Sequence, residues 1–391
     1  MISISKLLCD VAGPGDALRY GMQNQANKAT FVPLRPIVVW NCTRQCNLRC
    51  IHCYGSADNQ KHPQTLNTQE AKSFILDLAD FSVPVLLFSG GEPLLREDIF
   101  ELADFARGQG IRTVISTNGT LITKEIAKKI QNAGFAEAGI SLDGIGEIND
   151  RFRGKNGAYE AALQGIRNCI AIGQKVSLRF TITRPTYSEI PSIFNLVEQE
   201  GIERVCFYHL AYVGRASDLS KDDLTHSEAR TVIDLICDHT MDLHQRGFPK
   251  EILTVDNHAD GIYLYLKLKK QDPERAEKVL ALLCANGGNN SGIRIGAVDD
   301  TGNVHADQFW QHYSFGNVRQ RKFGDIWMDT SDPLMHGLKD RKGLLKGRCA
   351  RCEHLNLCNG NLRLRAEAVF GDVWAEDPAC YLTDSEIGLL Q

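Results

Sequence analysis

From residue 36 onward, short apolar and β-branched segments alternate with segments whose apolar residues recur at helical spacing. Ile99, Leu102 and Ala106 fall on one helical face, and Thr68 marks the start of an earlier helix. Six strands are predicted, within residues 36–43, 83–93, 111–120, 137–144, 175–183 and 204–212. Strands that alternate with helices predict a parallel sheet with right-handed crossover connections.

Polar and glycine-rich motifs follow four of these predicted strands. They are NCTRQC at 41–46, SGGEP at 89–93, STNG at 116–119 and SLDG at 141–144. An open doubly wound sheet and a curved partial barrel both place chemistry at the carboxyl ends of parallel strands. We therefore expect an α/β protein whose functional site lies where these motifs meet, in either architecture.

The alternation stops after about residue 247, and shorter, less regular segments follow it. We therefore predict three parts: a leader segment at 1–35, the barrel or sheet at 36–247 and a smaller C-terminal domain at 248–391. A chain of 391 residues is long enough for this arrangement.

Composition narrows the class of protein further. The net charge is −4 and the basic residues are dispersed, which argues against a nucleic-acid partner. No segment resembles a signal peptide or reaches the roughly 18 apolar residues of a membrane span. A cytoplasmic protein is expected, and its 13 cysteines then favour metal binding over disulfide bonds.

The first cysteine cluster, Cys46-x3-Cys50-x2-Cys53, lies on the loop that leaves the first strand. Structural zinc requires four ligands, usually from paired Cys-x2-Cys units, whereas three thiolates on a [4Fe–4S] cluster leave one iron open. Cys42 is a fourth ligand on paper, but it ends a buried strand and is expected to pack in the core.

The spacing CxxxCxxC followed by an aromatic residue, Tyr54, resembles the signature of the radical S-adenosylmethionine (SAM) enzymes. This resemblance implies a partial (β/α)6 TIM-like barrel and a [4Fe–4S] cluster on Cys46, Cys50 and Cys53 as the catalytic metal centre. In such enzymes the open iron binds SAM, and an electron from a reducing donor produces a 5′-deoxyadenosyl radical. That radical abstracts hydrogen from the substrate.

The other motifs match the SAM-binding positions of the same family, in the same order. In the GGEP motif, the backbone and the Glu92 carboxylate would meet the methionine ammonium, and Tyr54 would pack near the adenine. The STNG and SLDG motifs match the positions whose hydroxyls and carboxylates hold the ribose and the methionine carboxylate. The full set of implied SAM-binding residues is Tyr54, Gly90, Gly91, Glu92, Ser116, Asn118, Ser141 and Asp143.

A second cluster of cysteines comprises Cys349, Cys352, Cys358 and Cys380. Its spacing alone permits a structural zinc ion or an auxiliary [4Fe–4S] cluster. It resembles one cluster site of the SPASM or twitch extension of radical SAM enzymes, which implies the second alternative. Other SPASM cysteines are mostly absent, so we expect two clusters in total. Among the remaining thiols, Cys284 is expected to be a small buried residue rather than a substrate-side group, and Cys9, Cys169, Cys206 and Cys237 are expected in the core.

Residues 1–21 and 302–318 resemble the tetrapyrrole-modifying subgroup of radical SAM enzymes. The implied reaction removes the two acetate side chains of 12,18-didecarboxysiroheme to give iron-coproporphyrin III. Removal of propionates in haem d1 synthesis is the first alternative, and modification of a peptide is the second. A non-enzymatic iron–sulfur electron carrier is disfavoured, since a carrier needs no SAM-binding loops. Exposed clusters also imply an organism that lives partly without oxygen.

An iron tetrapyrrole with several carboxylates requires arginine or lysine partners, and its iron can also accept an axial ligand. Among the histidines that are candidates to bind this iron, His209 is preferred, and it is taken as a catalytic residue, because it ends a predicted strand on the active side. The further candidates are Arg179, Arg215 and Arg19 for carboxylates, His305 and His312 for iron, and Phe309, Trp310 and Tyr313 for the macrocycle faces.

Overall fold

The computed structural model describes residues 1–21 and 35–389. Its strands are β1 (Ile2–Ser3), β2 (Ile37–Asn41), β3 (Val85–Ser89), β4 (Arg112–Thr117), β5 (Ala138–Ser141), β6 (Val176–Ile182), β7 (Arg204–His209), β8 (Glu251–Val255), β9 (Ile295–Val298) and β10 (Val304–His305).

The α-helices connect and cover these strands. They are α1 (Ile4–Cys9), α2 (Asp16–Tyr20), α3 (Thr68–Asp80), α4 (Ile99–Gly108), α5 (Lys124–Asn132), α6 (Glu147–Arg153), α7 (Ala158–Ile170), α8 (Ile190–Gln199), α9 (His226–Gln245), α10 (Ala259–Gln271), α11 (Pro273–Asn286), α12 (Phe323–Met328), α13 (Pro333–Lys339), α14 (Gly347–Arg351), α15 (Leu355–Cys358) and α16 (Arg363–Phe370). Within residues 1–21 and 35–389, no helix is both long and apolar enough to cross a membrane.

All ten strands form one sheet in the order β1-β8-β7-β6-β5-β4-β3-β2-β9-β10. The strands from β2 to β8 are parallel neighbours in chain order, and β9 pairs parallel with β2 on the other side. β1 and β10 pair antiparallel at the two edges. The order of β2 to β8 never reverses, as it would in a doubly wound sheet, and the sheet does not close on itself, so the predicted partial TIM-like barrel is confirmed.

The apolar residues of strands and helices form the core between the sheet and its helical layer. Trp40 is fully buried there, with its ring 5.5 Å from that of Phe88 and 5.6 Å from that of Phe74. In the register of β2 and β3, Asn41 lies beside Ser89, so the two strands end at the same level. The polar loops that follow them therefore start side by side.

The six predicted strands correspond to β2 through β7 and are confirmed. The helix start predicted at Thr68 is also confirmed, because α3 begins there with Asn67 as its N-cap. The Asn67 side chain accepts the N–H groups of residues 69 and 70, and Glu70 bonds back to the Asn67 N–H. This capping box explains why the helix begins at that point.

The sequence suggested that the strand series stops at residue 247, but in the structure it continues. β8 continues it parallel to β7, and β9 also joins the sheet. A charged residue begins β8, which obscured the pattern, yet Glu251 is 6% exposed and its carboxylate pairs with Arg204. The domain boundary at 247 stays a prediction.

The predicted leader lies only partly within the described residues, because residues 22–34 lie outside them. Its described part contacts the barrel: β1 pairs with β8, and α1 packs against α9.

An ion pair within the C-terminal region also attaches that region to the barrel. Arg365 and Asp377 both have fully buried side chains and lie 2.8 Å apart. Arg365 also donates to the backbone oxygens of Leu210 after β7 and Asp256 after β8. Burial opposes ionisation of Asp377, but the charge of Arg365 keeps the pKa of that carboxyl below its ordinary value.

Replacing Asp377 by asparagine is expected to destabilise the protein by about 3–5 kcal/mol, because it leaves the Arg365 charge buried and unpaired. The measurement is the midpoint of guanidinium unfolding under anaerobic conditions. Lys61→Ala is the control, since it removes an ion pair to Glu97 whose two side chains are 78% and 87% exposed. Equal midpoints for the two variants would contradict the role given to the buried pair.

Candidate active site

The carboxyl ends of the parallel strands surround one cavity of about 210 Å3. The strand-end motifs meet in its wall, as the sequence predicted. Thirteen of the residues singled out from the sequence line it: Cys46, Cys50, Cys53, Tyr54, Gly90, Gly91, Ser116, Asn118, Ser141, Arg179, His209, Arg215 and Phe309.

The cysteine loop between β2 and α3 is fixed by hydrogen bonds to its backbone. The Cys46 N–H donates to the Asp58 oxygen at 2.6 Å. Arg215 donates from Nε to the Cys50 oxygen at 2.8 Å and from Nη1 to the Ala57 oxygen at 3.0 Å. Arg215 was predicted to meet substrate carboxylates, but its guanidinium clamps this loop instead. The clamp sets where the three thiols lie.

The surroundings of Cys46, Cys50 and Cys53 suit cysteines bound to a cationic metal centre. Burial raises the pKa of Cys46 to about 12, and the neighbouring charges of Glu92, Cys50 and Cys53 add to the increase. Burial likewise raises the pKa of Cys50, although Arg153 opposes it from 3.8 Å. Thiolates crowded in a buried site need positive charge. A three-thiol donor set fits an iron–sulfur cluster with one open position.

The glycines of the SGGEP motif let this loop lie directly on the cysteine loop. A Cβ on Gly91 would stand 2.3 Å from the Gln45 oxygen, and one on Gly90 would stand 2.3 Å from the Thr43 oxygen. The Gly91 N–H donates to that Thr43 oxygen at 2.7 Å. Only glycine permits this approach at either position.

Glu92 lies beneath the cavity wall and does not line it. It is fully buried, and its carboxylate accepts bonds from Thr117 Oγ1 and the Asn118 N–H, each at 2.7 Å, and from the Leu94 N–H at 3.1 Å. Burial raises its pKa, and these donors oppose the increase. The side chain joins the loops after β3 and β4, and its contact with the methionine ammonium stays a prediction. The backbone of Gly90 and Gly91 lines the cavity in its place.

Asp143 is also fully buried behind the cavity. Its Oδ1 accepts the Thr181 N–H at 2.7 Å, and its carboxylate pairs with Arg153 and lies 3.6 Å from His52 Nε2. Arg153 and His52 line the cavity, whereas Asp143 does not. Asp143 thus holds two residues of the cavity wall, and its own contact with SAM stays a prediction.

Ser116, Asn118 and Tyr54 present polar groups to the cavity. The Asn118 amide donates to Asn47 Oδ1 at 2.8 Å, and Ser116 Oγ accepts from the Arg179 guanidinium. The Tyr54 hydroxyl donates to Asn41 Oδ1 at 3.0 Å, while its ring meets Phe309 edge-on at 5.4 Å. Ser141 completes the predicted set on this wall.

His209 lies at the cavity end of β7, as predicted, and is 8% exposed. Its Nε2 is 2.9 Å from Oδ2 of Asp260, the second residue of α10. Sequence analysis missed this partner because it is 51 residues away in the chain.

Other substrate-side candidates do not reach the cavity. Arg19 pairs with Asp16 and Glu251, at the opposite, amino end of the strands. His305 is buried in β10 with Nδ1 2.8 Å from the Tyr313 oxygen. His312 is exposed and pairs with Glu367. Their polar groups are taken up by local partners instead.

Among the aromatic candidates, only Phe309 lines the cavity. Trp310 is fully buried in a small apolar cluster, and the Tyr313 hydroxyl donates to Asp332 Oδ2 at 2.7 Å. Sequence analysis also missed Asp256, which follows the unassigned strand β8 and lines the cavity. Burial raises its pKa to about 6.

The four C-terminal cysteines line a second, small cavity together. Because all four line the same small cavity, their thiols lie near one another. Burial raises the pKa of Cys358, and the charges of Cys380, Cys349 and Cys352 add to the increase. The walls are otherwise largely apolar, with Ile262 of α10 among them. A four-thiol set around a cavity fits an iron–sulfur cluster, whereas within residues 1–21 and 35–389 no three His, Cys, Asp or Glu side chains are arranged to hold a single metal ion.

The remaining thiols mostly follow expectation. Cys42, Cys169, Cys206 and Cys237 are buried and Cys9 is half-buried, whereas Cys284 is exposed. The prediction for Cys284 was wrong because it occupies an outer position of α11, between the buried neighbours Leu283 and Ala285.

Sequence comparison identifies relatives across most of the chain. The Radical SAM superfamily profile matches residues 40–197. The Fe-coproporphyrin III synthase of Methanosarcina barkeri is 56% identical over 395 residues, which cover 99% of this chain and 99% of that protein. The pre-heme d1 synthase of Dinoroseobacter shibae is 43% identical over 90% of this chain and 88% of that protein.

Solved structures with low sequence identity share the fold. Streptococcus suis SuiB has a TM-score of 0.69 at 18% identity, covering 89% of this chain and 78% of that chain. Native anSMEcpe with bound AdoMet has a TM-score of 0.68 at 17% identity, covering 91% of this chain and 96% of that chain. With its cysteine loop, its partial barrel and relatives that match it from end to end, the chain belongs to the radical SAM superfamily of enzymes.

Proposed function

We propose that this enzyme removes the two acetate side chains of 12,18-didecarboxysiroheme and produces iron-coproporphyrin III. The observation that carries the proposal is the 56% identity, over 99% of both chains, to a protein named Fe-coproporphyrin III synthase. The substrate class then follows as an iron tetrapyrrole with several carboxylates.

Cys46, Cys50 and Cys53 would hold the [4Fe–4S] cluster used by this superfamily. SAM would lie against the backbone of Gly90 and Gly91. The polar groups of Ser116, Asn118 and Ser141 would bind it from the next two strand ends, with Tyr54 beside the adenine. When bound and reduced by an external electron donor, the pair supplies a 5′-deoxyadenosyl radical.

Arg179 is the best placed group for a substrate carboxylate. It lies in β6 and lines the cavity, and its Nε is buried without a hydrogen-bond partner in the part of the chain that the structure describes. A Cβ on Gly139 would stand 2.3 Å from that Nε, so the guanidinium lies flat across the neighbouring strand. An unpaired buried N–H is costly, and a ligand carboxylate would satisfy it.

Cys349, Cys352, Cys358 and Cys380 would hold an auxiliary [4Fe–4S] cluster in a SPASM- or twitch-like extension. Their common cavity and their mutual effect on pKa support a single shared centre. A structural zinc ion is the alternative for this site, and iron analysis separates the two.

Anaerobic turnover of the reconstituted enzyme with SAM, a reductant and 12,18-didecarboxysiroheme is expected to remove two acetate groups. Mass spectrometry of the tetrapyrrole, with 5′-deoxyadenosine measured in the same sample, checks this expectation. The matched control is the triple variant Cys46→Ala, Cys50→Ala, Cys53→Ala, which should produce neither product.

Two outcomes of that experiment would redirect the proposal. Loss of propionates instead of acetates would place the enzyme with the pre-heme d1 synthases, a second candidate that the 43% identity supports. Cleavage of SAM with an untouched tetrapyrrole would refute the substrate and favour modification of a peptide.

Alanine at all four C-terminal cysteines is expected to remove half of the iron and half of the acid-labile sulfide of the reconstituted protein. The reason is that each cysteine set would hold one cluster of equal size. Cys284→Ser is the control, because this exposed thiol lies in neither set. Unchanged iron in the four-cysteine variant, with zinc lost instead, would overturn the auxiliary cluster.

A further inference from the structure

Three side chains form a buried hydrogen-bonded chain from the active-site cavity to the second cysteine set. His209 Nε2 lies 2.9 Å from Asp260 Oδ2, and the Tyr381 hydroxyl donates to Asp260 Oδ1 at 2.8 Å. His209 is 8% exposed, Asp260 is fully buried and Tyr381 is 1% exposed. Tyr381 directly follows Cys380 in the sequence.

Asp260 orients the imidazole of His209. Each of its carboxylate oxygens has one partner, so the carboxylate is fixed at both ends. With Nε2 directed at Asp260, Nδ1 is the ring nitrogen left to bind a ligand. A histidine that donates one N–H to a carboxylate presents a more basic second nitrogen, which is the usual arrangement of a histidine bound to a metal.

Asp260 also lies in α10, the helix that lines the cavity of the second cysteine set. Its neighbours Ala259 and Ile262 in α10 line the cavity of the C-terminal cysteines. The Tyr381 ring packs edge-on against Tyr263 of the same helix at 5.7 Å. The orientation of His209 is therefore set by the same elements that surround the second cysteine set.

We propose that His209 binds the iron of the tetrapyrrole substrate through Nδ1, and that Asp260 and Tyr381 are positioning residues that set the basicity of this ligand. The inference rests on the proposed function, because it requires an iron-containing substrate. It assigns Asp260 and Tyr381 a role in the active site although neither lines the cavity.

Among the other cavity groups that are able to bind iron, His52 and Asp256 are less well placed than His209. His52 lies in the cysteine loop between Cys50 and Cys53, and its ring stacks on that of Phe152 with centroids 4.4 Å apart. It is therefore part of the surroundings of the first cysteine set. Asp256 offers a carboxylate oxygen, for which burial disfavours the charged form. His52 Nε2 lies 3.6 Å from the Asp143 carboxylate, beyond hydrogen-bond distance, whereas His209 Nε2 lies 2.9 Å from Asp260.

The first test binds ferric 12,18-didecarboxysiroheme to the reconstituted full-length protein without a reductant. Electron paramagnetic resonance with 15N-histidine labelling is expected to detect a histidine nitrogen on the iron. His209→Gly should lose this signal, and added imidazole should restore it. His312→Ala is the control, since His312 is exposed and lies outside the cavity.

The second test separates positioning from a general structural role by measuring the reduction potential of the bound substrate iron. Asp260→Asn should raise the potential, because the neutral amide makes the imidazole a weaker electron donor. Tyr381→Phe should lower it, because the carboxylate then interacts more strongly with the imidazole. Iron and sulfide content checks that both clusters remain in each variant.

The outcomes distinguish this inference from the function on which it rests. If the wild-type protein binds neither the iron complex nor the iron-free macrocycle, the proposed function fails and this inference fails with it. If both bind with equal affinity and no histidine nitrogen is detected, the function stands and the inference is wrong. Shifts of the same sign in Asp260→Asn and Tyr381→Phe would refute the positioning role.

Discussion

The contact between the loops after β2 and β3 is the constraint on which the active site depends. The parallel register ends both strands at the same level, and two glycines then bring the backbones together without an intervening side chain. The Gly91 and Glu92 N–H groups donate across this contact, at 2.7 and 2.8 Å. Any side chain at Gly91 would push the cysteine loop away from the cavity. The thiol positions therefore follow from backbone packing before any metal is considered.

Beneath these loops, the acidic residues of the motifs act as scaffolding. Glu92 joins two loops through backbone and hydroxyl donors, and Asp143 holds Arg153 against the cavity wall. Burying a carboxylate is costly unless hydrogen bonds or an opposite charge compensate it. Both carboxylates have that compensation within the protein. They hold in place the backbone and the cationic side chains that line the cavity.

Local patterns were sufficient to predict the strands, the cysteine loop and the edge of the sheet where the motifs meet. They failed where long-range contacts decide the outcome. Arg19 has the right charge for a substrate carboxylate, but its pairing with Glu251 places it at the amino end of the strands. The strand β8 begins with that same glutamate, whose burial depends on Arg204 from another strand. The partnership of His209 with Asp260 likewise joins residues that no local pattern connects.

The two-residue strands β1 and β10 protect the two edges of the open barrel. An uncovered edge of a parallel sheet offers a row of free N–H and C=O groups to any other extended chain. Here both edges end in short antiparallel strands, so little backbone is left for pairing with a second molecule. A closed barrel of about eight strands fills its interior with side chains. Protected edges allow this sheet to stay open without becoming a template for pairing with another extended chain.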